Sequence, residues 1–244
     1  MTRRLRFALF AVAASGLAAL LLWSVFDLPR FGDYKGVYGR TLDKVAPKER
    51  QTSNVVTSVV FDYRGLDTMG EEFILFTAVM GVAMLLREPR QEEAPEPEDP
   101  VRSDAVRAAG ISLAGATLVL GLWVVAHGTI TPGGGFQGGV VLASSFLLLW
   151  LAGAYGAYRR LTPSPAVDFA EGTGAGGYVV IGVAALLAGA PFLHNLIEFG
   201  TSGKLSSGGS IPLLNWASGL EVAAAFVLLF SEFLKERALV LERP

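Results

Sequence analysis

Phe7 to Phe26 is a run of 20 residues without a single charged side chain, and further apolar runs of similar length follow it. A bilayer core about 30 Å thick is crossed by roughly 20 apolar residues in a helix. A soluble core needs no such lengths. In lipid the backbone groups must be satisfied within the segment, so these runs can only be helices. The rest of the composition agrees: 52% of residues are hydrophobic and 17% charged, with the charges gathered in the connections. Mean hydropathy is +0.47. A net charge of -2 gives no electrostatic footprint for nucleic acid. The absence of cysteine excludes disulfides, thiolate catalysis and Cys-ligated metals, and two histidines make a His-rich metal site a poor expectation.

The expected fold is all-α and polytopic, with about six transmembrane helices at roughly 6–26, 70–87, 108–127, 136–157, 177–194 and 214–234. The first follows Arg3, Arg4 and Arg6 but is too long for a signal core, so it is read as an uncleaved span. Placing both termini in the cytoplasm puts twelve of the 20 Lys and Arg inside. Seven of the other eight lie in the 27–66 connection, an exception that the charge rule does not explain.

Glu88 to Pro100 reads EPRQEEAPEPEDP, with four prolines and six acids. Such a segment cannot bury enough apolar surface to order itself. It marks residues 88–104 as a linker between a two-helix part, 1–87, and a four-helix part, 105–244. No internal repeat relates the two, which argues against an inverted-repeat transporter.

In the first part, Asn54 to Phe61 is too short to span and is expected at the interface or against neighbouring helices. Thr68-Met69-Gly70-Glu71 has the form of a capping box before an apolar run. Thr68 is then the helix cap, and Glu71 either reaches back to the cap's N–H or handles ions. Glu72 has no capping role and points either toward headgroups or into an ion path. Asp62, Arg64 and Asp67 are expected as a local ion-pair cluster.

His127 to Gly139 reads HGTITPGGGFQGG, and Gly133, Gly135 and Gly138 satisfy the G-x-G-x-x-G spacing of a dinucleotide loop. The context is wrong for that reading. A membrane-length helix precedes it instead of a strand, and the residues about twenty positions on are Tyr158, Arg159 and Arg160, not an acid. Pro132 suits the first turn of a helix. Gly135, Gly139 and Ala143 recur every four residues, and Gly134 and Gly138 widen the same face. Small-xxx-small faces let helices approach closely in lipid. The alternative is irregular backbone lining a cavity.

The same stretch, with the apolar helix after it, resembles the signature of the MnhB-domain family, the B component of the Mrp-type multisubunit cation/proton antiporters, over residues 105–244. Residues 54–76, with Asn54, Asp62, Arg64, Asp67, Thr68, Gly70 and Glu71 as matching positions, resemble the carboxyl-terminal segment of the large A component of those antiporters. That module also occurs as the small E component of energy-converting membrane-bound hydrogenases. The acidic linker is then a fusion seam. The family's last span usually opens with an acid followed by glycine, as in Phe-Asp-Ile-Gly-Val. Here Ser218 to Phe226 reads SGLEVAAAF, so Glu221 takes the acid's place and the glycine is missing.

An ionisable group inside a membrane is a functional hypothesis by default. Glu221 is the best single candidate: either it carries a proton, or it hydrogen-bonds the helix of a neighbouring protein. His127, His194 and Glu198 lie near helix ends, where a wet interfacial role competes with a place on an ion path. His194 and Glu198 are four apart, as on one helical face. Phe199 to Pro212 carries no binding signature.

The resemblance implies an accessory membrane subunit of a Na+/proton antiporter in a bacterial or archaeal inner membrane. It implies other hydrophobic subunits and lipid as partners, and Na+ and H+ as transported ions. A membrane subunit of a related hydrogenase or oxidoreductase complex and a self-sufficient oligomeric transporter are the alternatives. No cofactor, enzyme activity or nucleic-acid partner is expected.

Overall fold

The computed structural model describes residues 3–26, 28, 36–86, 101 and 103–241, with the side chains of 3, 6 and 235–241 left aside. The expected linker at 88–104 falls mostly outside the described residues. The described chain is all-helical: α1 (Arg3–Phe26), α2 (Val37–Glu49), α3 (Val55–Ser58), a π-helical turn (Val59–Tyr63), α4 (Gly65–Leu86), α5 (Asp104–Ala126), α6 (Gly135–Leu151), α7 (Tyr155–Leu161), α8 (Ser164–Leu187) and α9 (Ile211–Leu241). Among the described residues, five helices are long and apolar enough to cross a membrane, namely α1, α4, α5, α8 and α9. The remaining expected span corresponds to α6, which has 17 residues.

Met1–Thr41 and Leu42–Pro244 are separate compact units. In the first, α1 is apolar on every face from Phe7 onward, and none of that span is buried. Leu9, Phe10, Val12 and Trp23 all project outward. The hydroxyl of Ser24 donates to Leu20 O at 3.0 Å, as a group in hydrocarbon must.

In the second unit α9 is the central helix. It packs against α4, α5, α6 and α8, and 61% of its span is buried against 17% for α4 and α5 and 33% for α8. Its small side chains explain this position. In lipid there is no hydrophobic gain from joining helices, so close packing must hold them. A Cβ on Gly139 of α6 would lie 2.8 Å from Val222 Cβ and 2.9 Å from Gly219 O of α9. One on Gly121 of α5 would lie 2.8 Å from Leu142 Cγ of α6. Gly135 and Gly139 therefore face α9, whereas Gly138 faces Val125 of α5. The glycine-rich face serves two neighbours, and Ala143 is buried behind it.

Irregular backbone enters just before this face. Pro132 is not in the first turn of a helix as expected, because α6 begins at Gly135. Gly133 and Gly134 take φ of 146° and 145°, conformations that a Cβ disfavours. Two asparagines hold the loop. Asn54 Nδ2 donates to Gly128 O at 2.8 Å and Thr131 O at 3.0 Å. Asn215 Oδ1 accepts from Gly135 N at 2.8 Å, satisfying an orphan donor of α6. Asn215→Ala should leave that N–H buried and unpaired, at a cost of about 1–3 kcal/mol. Lower thermal stability in detergent, with Asn54→Ala as a second case, is the expected reading.

The helix limits depart from expectation where polar residues suggested loops. The span placed at 177–194 begins at Ser164 and ends at Leu187. Asp168 and Glu171 fall between the expected spans, but Glu171, Gly174, Ala175, Tyr178, Gly182 and Ala185 form one buried helical face. The span placed at 136–157 stops at Leu151, and Gly153 at φ 73° turns the chain into α7. The last span starts three residues early, at Ile211.

Thr68 is not a cap. α4 starts at Gly65, and the Thr68 hydroxyl donates to Val60 O at 2.6 Å, fastening the helix to the π-turn before it. Asn54 is the residue that caps here, its Oδ1 accepting from Thr57 N at 3.3 Å. The expected acidic-basic cluster also divides. Arg64 pairs with Asp67, while Asp62 pairs with Arg50 and accepts from Asn195 at 3.4 Å.

Candidate functional site: a buried acidic pair between two helices

Glu72 of α4 is 2% exposed and Glu221 of α9 is fully buried. α4 turns one face to α9, and Glu72, Val79 and Ala83 lie on it at intervals of seven and four. Below the acids, Val79 and Ala83 pack on Ala225 and Leu228. The residue beside Glu72, Glu71, is rotated about 100° away and exposed. That rotation assigns the two acids different surroundings.

The Glu72 and Glu221 carboxyls interact directly, and Ser218 of α9 lies within reach of Glu72. Neither Glu221 oxygen, nor Glu72 Oε2, nor the Ser218 hydroxyl completes a hydrogen bond of good geometry. Among the described residues, the titratable groups acting on the pair are Glu71, Glu171 and the Tyr178 phenol, none of them a cation. Ionised carboxylates packed this way repel strongly in a dry interior, so a positive charge must accompany them. What the arrangement can do chemically is hold and pass that charge.

Glu71 and Glu72 line a cavity of about 290 Å³ with Thr57, Val60, Thr68, Gly133–Gly135 and Gln137. It places the glycine-rich loop next to the acidic pair, a juxtaposition of the two sequence halves. Thr57 joins them again, its hydroxyl donating to Gly128 O at 2.7 Å.

A second cavity, of about 440 Å³, is lined by Arg50, Asp62, Tyr63, Arg64, His194 and Asn195 among others. Arg50 lies over the rings of Tyr63 at 4.5 Å and Phe199 at 5.1 Å. The Tyr63 hydroxyl donates to Glu49 at 2.6 Å. Desolvation first, and then this bond to Glu49, push the Tyr63 phenol up from its ordinary value of 10.0 to about 12. With the folded value above the unfolded one, its stabilising contribution is complete below pH 10 and fades as pH rises to about 12. An ultraviolet titration should lose a tyrosine step near pH 12 in Tyr63→Phe.

The other candidates stay apart from the pair. His127 ends α5, stacked on Trp123 at 4.6 Å with Nδ1 3.1 Å from Trp123 O. His194 and Glu198 do not share a helical face, because Ala188 to Ser210 is non-helical; both are exposed. Leu193 adopts φ 61° in this segment. Among the described residues, two buried acids are not singled out by sequence, Glu171 of α8 and Glu232 of α9, each 1% exposed. The signal for Glu171 lies in the small residues at helical spacing after it. Glu232 lies eleven residues, about three turns, beyond Glu221 on the same face.

Residues 105–228 match the family described as the domain related to the MnhB subunit of Na+/H+ antiporters. The chain belongs to that family. Residues 2–99 match the family model of the E component of MBH. This MnhB-family chain is 32% identical over 193 residues to an uncharacterized protein of Methanocaldococcus jannaschii, covering 70% of this chain and 73% of that one. It is 30% identical over 173 residues to the A/B component of a probable K(+)/H(+) antiporter of Rhizobium meliloti, of which it spans 17%. Among solved structures, a chain of the membrane-bound sulfane sulfur reductase, an archaeal respiratory membrane complex, aligns with TM-score 0.72 and 31% identity over 94% of this chain and 98% of that one. A chain of the Mrp complex of Dietzia sp. DQ12-45-1b shares the fold, with TM-score 0.68 and 22% identity over 95% of this chain and 26% of its own length.

Proposed function

We propose that this protein is a multi-pass accessory subunit of a cation/proton antiporter complex in the cell membrane. On this reading its Glu72–Glu221 pair handles protons near a junction with a neighbouring protein of the complex. The single observation that carries the proposal is the buried acidic pair, held in apolar helices with no basic partner acting on it among the described residues. Family membership supplies the setting. The chain's role is assembly and ion conduction, with no catalysis of its own. Six spans, both termini in the cytoplasm, and a division at the 88–104 seam complete the proposal. The surfaces of α4 and α5 left uncovered by this chain are then shared between lipid and other hydrophobic subunits.

A second reading has an observation in its favour. The match to a chain of the sulfane sulfur reductase extends over nearly the whole of both chains. On that reading the same protein serves a respiratory complex with redox partners.

Affinity purification of the tagged protein in mild detergent, with mass identification of what accompanies it, tests both. Several large hydrophobic chains in fixed stoichiometry are expected. Soluble redox proteins among them select the second reading. A pure homo-oligomer that transports cations in vesicles overturns the assignment to a larger complex.

A further inference from the structure

Resting on the reading of Glu72–Glu221 as a proton-handling pair, we infer that Glu171 of α8 is the next proton carrier, giving a three-carboxyl relay from α4 through α9 to α8. Glu171 lies on the face that α8 turns to α9, three residues before Gly174. A Cβ at Gly174 would meet Glu221 Cβ at 2.6 Å and Cα at 2.7 Å, so α8 lies against the backbone of α9 at this residue.

The helices run antiparallel here. A Cβ at Gly177 would lie 3.6 Å from Ala217 Cβ, so Gly177 stands opposite Ala217 and Gly174 opposite Glu221. The next turn of α8 is Glu171, which comes level with Ala224 and Ala225, one turn beyond Glu221. Both alanines are buried, and neither carries more than a methyl group. Glu171 and Glu221 act on each other electrostatically. The buried Ser218 hydroxyl, within reach of Glu72, adds a neutral group able to pass a proton.

The relay has a direction. Glu72 lines the cavity beside Thr57 and the Gly133–Gly135 loop, at one end of the helices. Glu171 is seven residues from Ser164, so it lies about 10 Å from the opposite end of α8. Along the direct α4–α9 seam the way is shut by Val79, Ala83, Ala225 and Leu228, with Leu75, Met80, Val167 and Leu229 around them. An apolar cluster this tight admits no hydrated cation, while a proton needs only successive carboxyls. Each step is a transfer: a protonated carboxyl gives its proton to the next carboxylate and becomes the anion, so charge is conserved along the line.

The test uses the intact complex in proteoliposomes, with proton flux read by a trapped pH dye and cation flux read separately. Glu171→Gln should assemble normally and lose proton-coupled transport at least tenfold, as should Glu221→Gln. Glu171→Asp should recover part of the rate with an altered pH profile. If Glu171→Gln transports at the wild-type rate while Glu221→Gln fails, the relay through α8 is overturned and the acidic pair survives. Full activity of Glu221→Gln overturns the pair itself. Where Glu171→Gln does not assemble, Glu171→Asp decides: slowed proton flux in an assembled complex supports the relay, and an unchanged rate overturns it.

Discussion

Glu221→Gln is expected to leave the complex assembled and to reduce proton-coupled transport by about 100-fold, the scale of losing a positioned proton donor. Glutamine matches glutamate in shape, so the close contact with Gly174 is preserved. It cannot titrate, so only the proton-carrying function is removed. The substitution also removes the repulsion between Glu72 and Glu221, and the folded protein should be at least as heat-resistant as the wild type. Loss of transport together with unchanged or raised thermal stability is the combined signature. An assembled, stable variant at full rate would assign Glu221 to packing alone.

The second large effect belongs to the glycine face. Gly139→Leu inserts a branched side chain where even a Cβ would lie 2.8 Å from Val222 Cβ and 2.9 Å from the Gly219 carbonyl oxygen. The carbonyl oxygen belongs to backbone of the central helix and cannot rotate away. Over-packing of this kind costs about 1–3 kcal/mol when neighbours can give way, and here α6 must separate from α9. The upper end of that range or beyond is expected, seen as loss of membrane-inserted protein in a thermal-shift or abundance assay. Gly172→Leu is the control, since nothing lies within 4 Å of a Cβ there. Equal loss in both variants would mean that glycine matters for helix flexibility and not for the α6–α9 contact.

Much of the membrane architecture is legible in one dimension because lipid imposes one-dimensional rules. An apolar run must be a helix, and its length must match the bilayer, so the runs can be found by reading. The boundaries are less legible. α8 begins at Ser164 because Asp168 lies at its wet end and Glu171 turns inward. A linear count of polar residues treats both as loop. Thr68 followed a genuine capping pattern, but the π-turn over Val59–Tyr63 already supplied the start of α4 and took the hydroxyl for itself.

The candidate site divides in the same way. Glu221 is singled out by sequence, since an acid in a spanning run is conspicuous wherever it points. Glu71 and Glu72 differ there only in the capping role open to Glu71, and nothing in their order says which one faces another helix. Glu171 passes unnoticed in a stretch rich in glycine. Composition and hydropathy determined that this chain is a bundle of membrane helices with glycine-mediated packing and a carboxyl in its last span. Only tertiary packing decided that Glu72 and not Glu71 meets Glu221, and that Glu171 and Ser218 join them. The reason is rotational. A helix repeats every 3.6 residues, so one position turns a side chain by about 100°, from a buried helix interface to an exposed face. In helices apolar on all sides, only the neighbouring helix fixes which face turns inward.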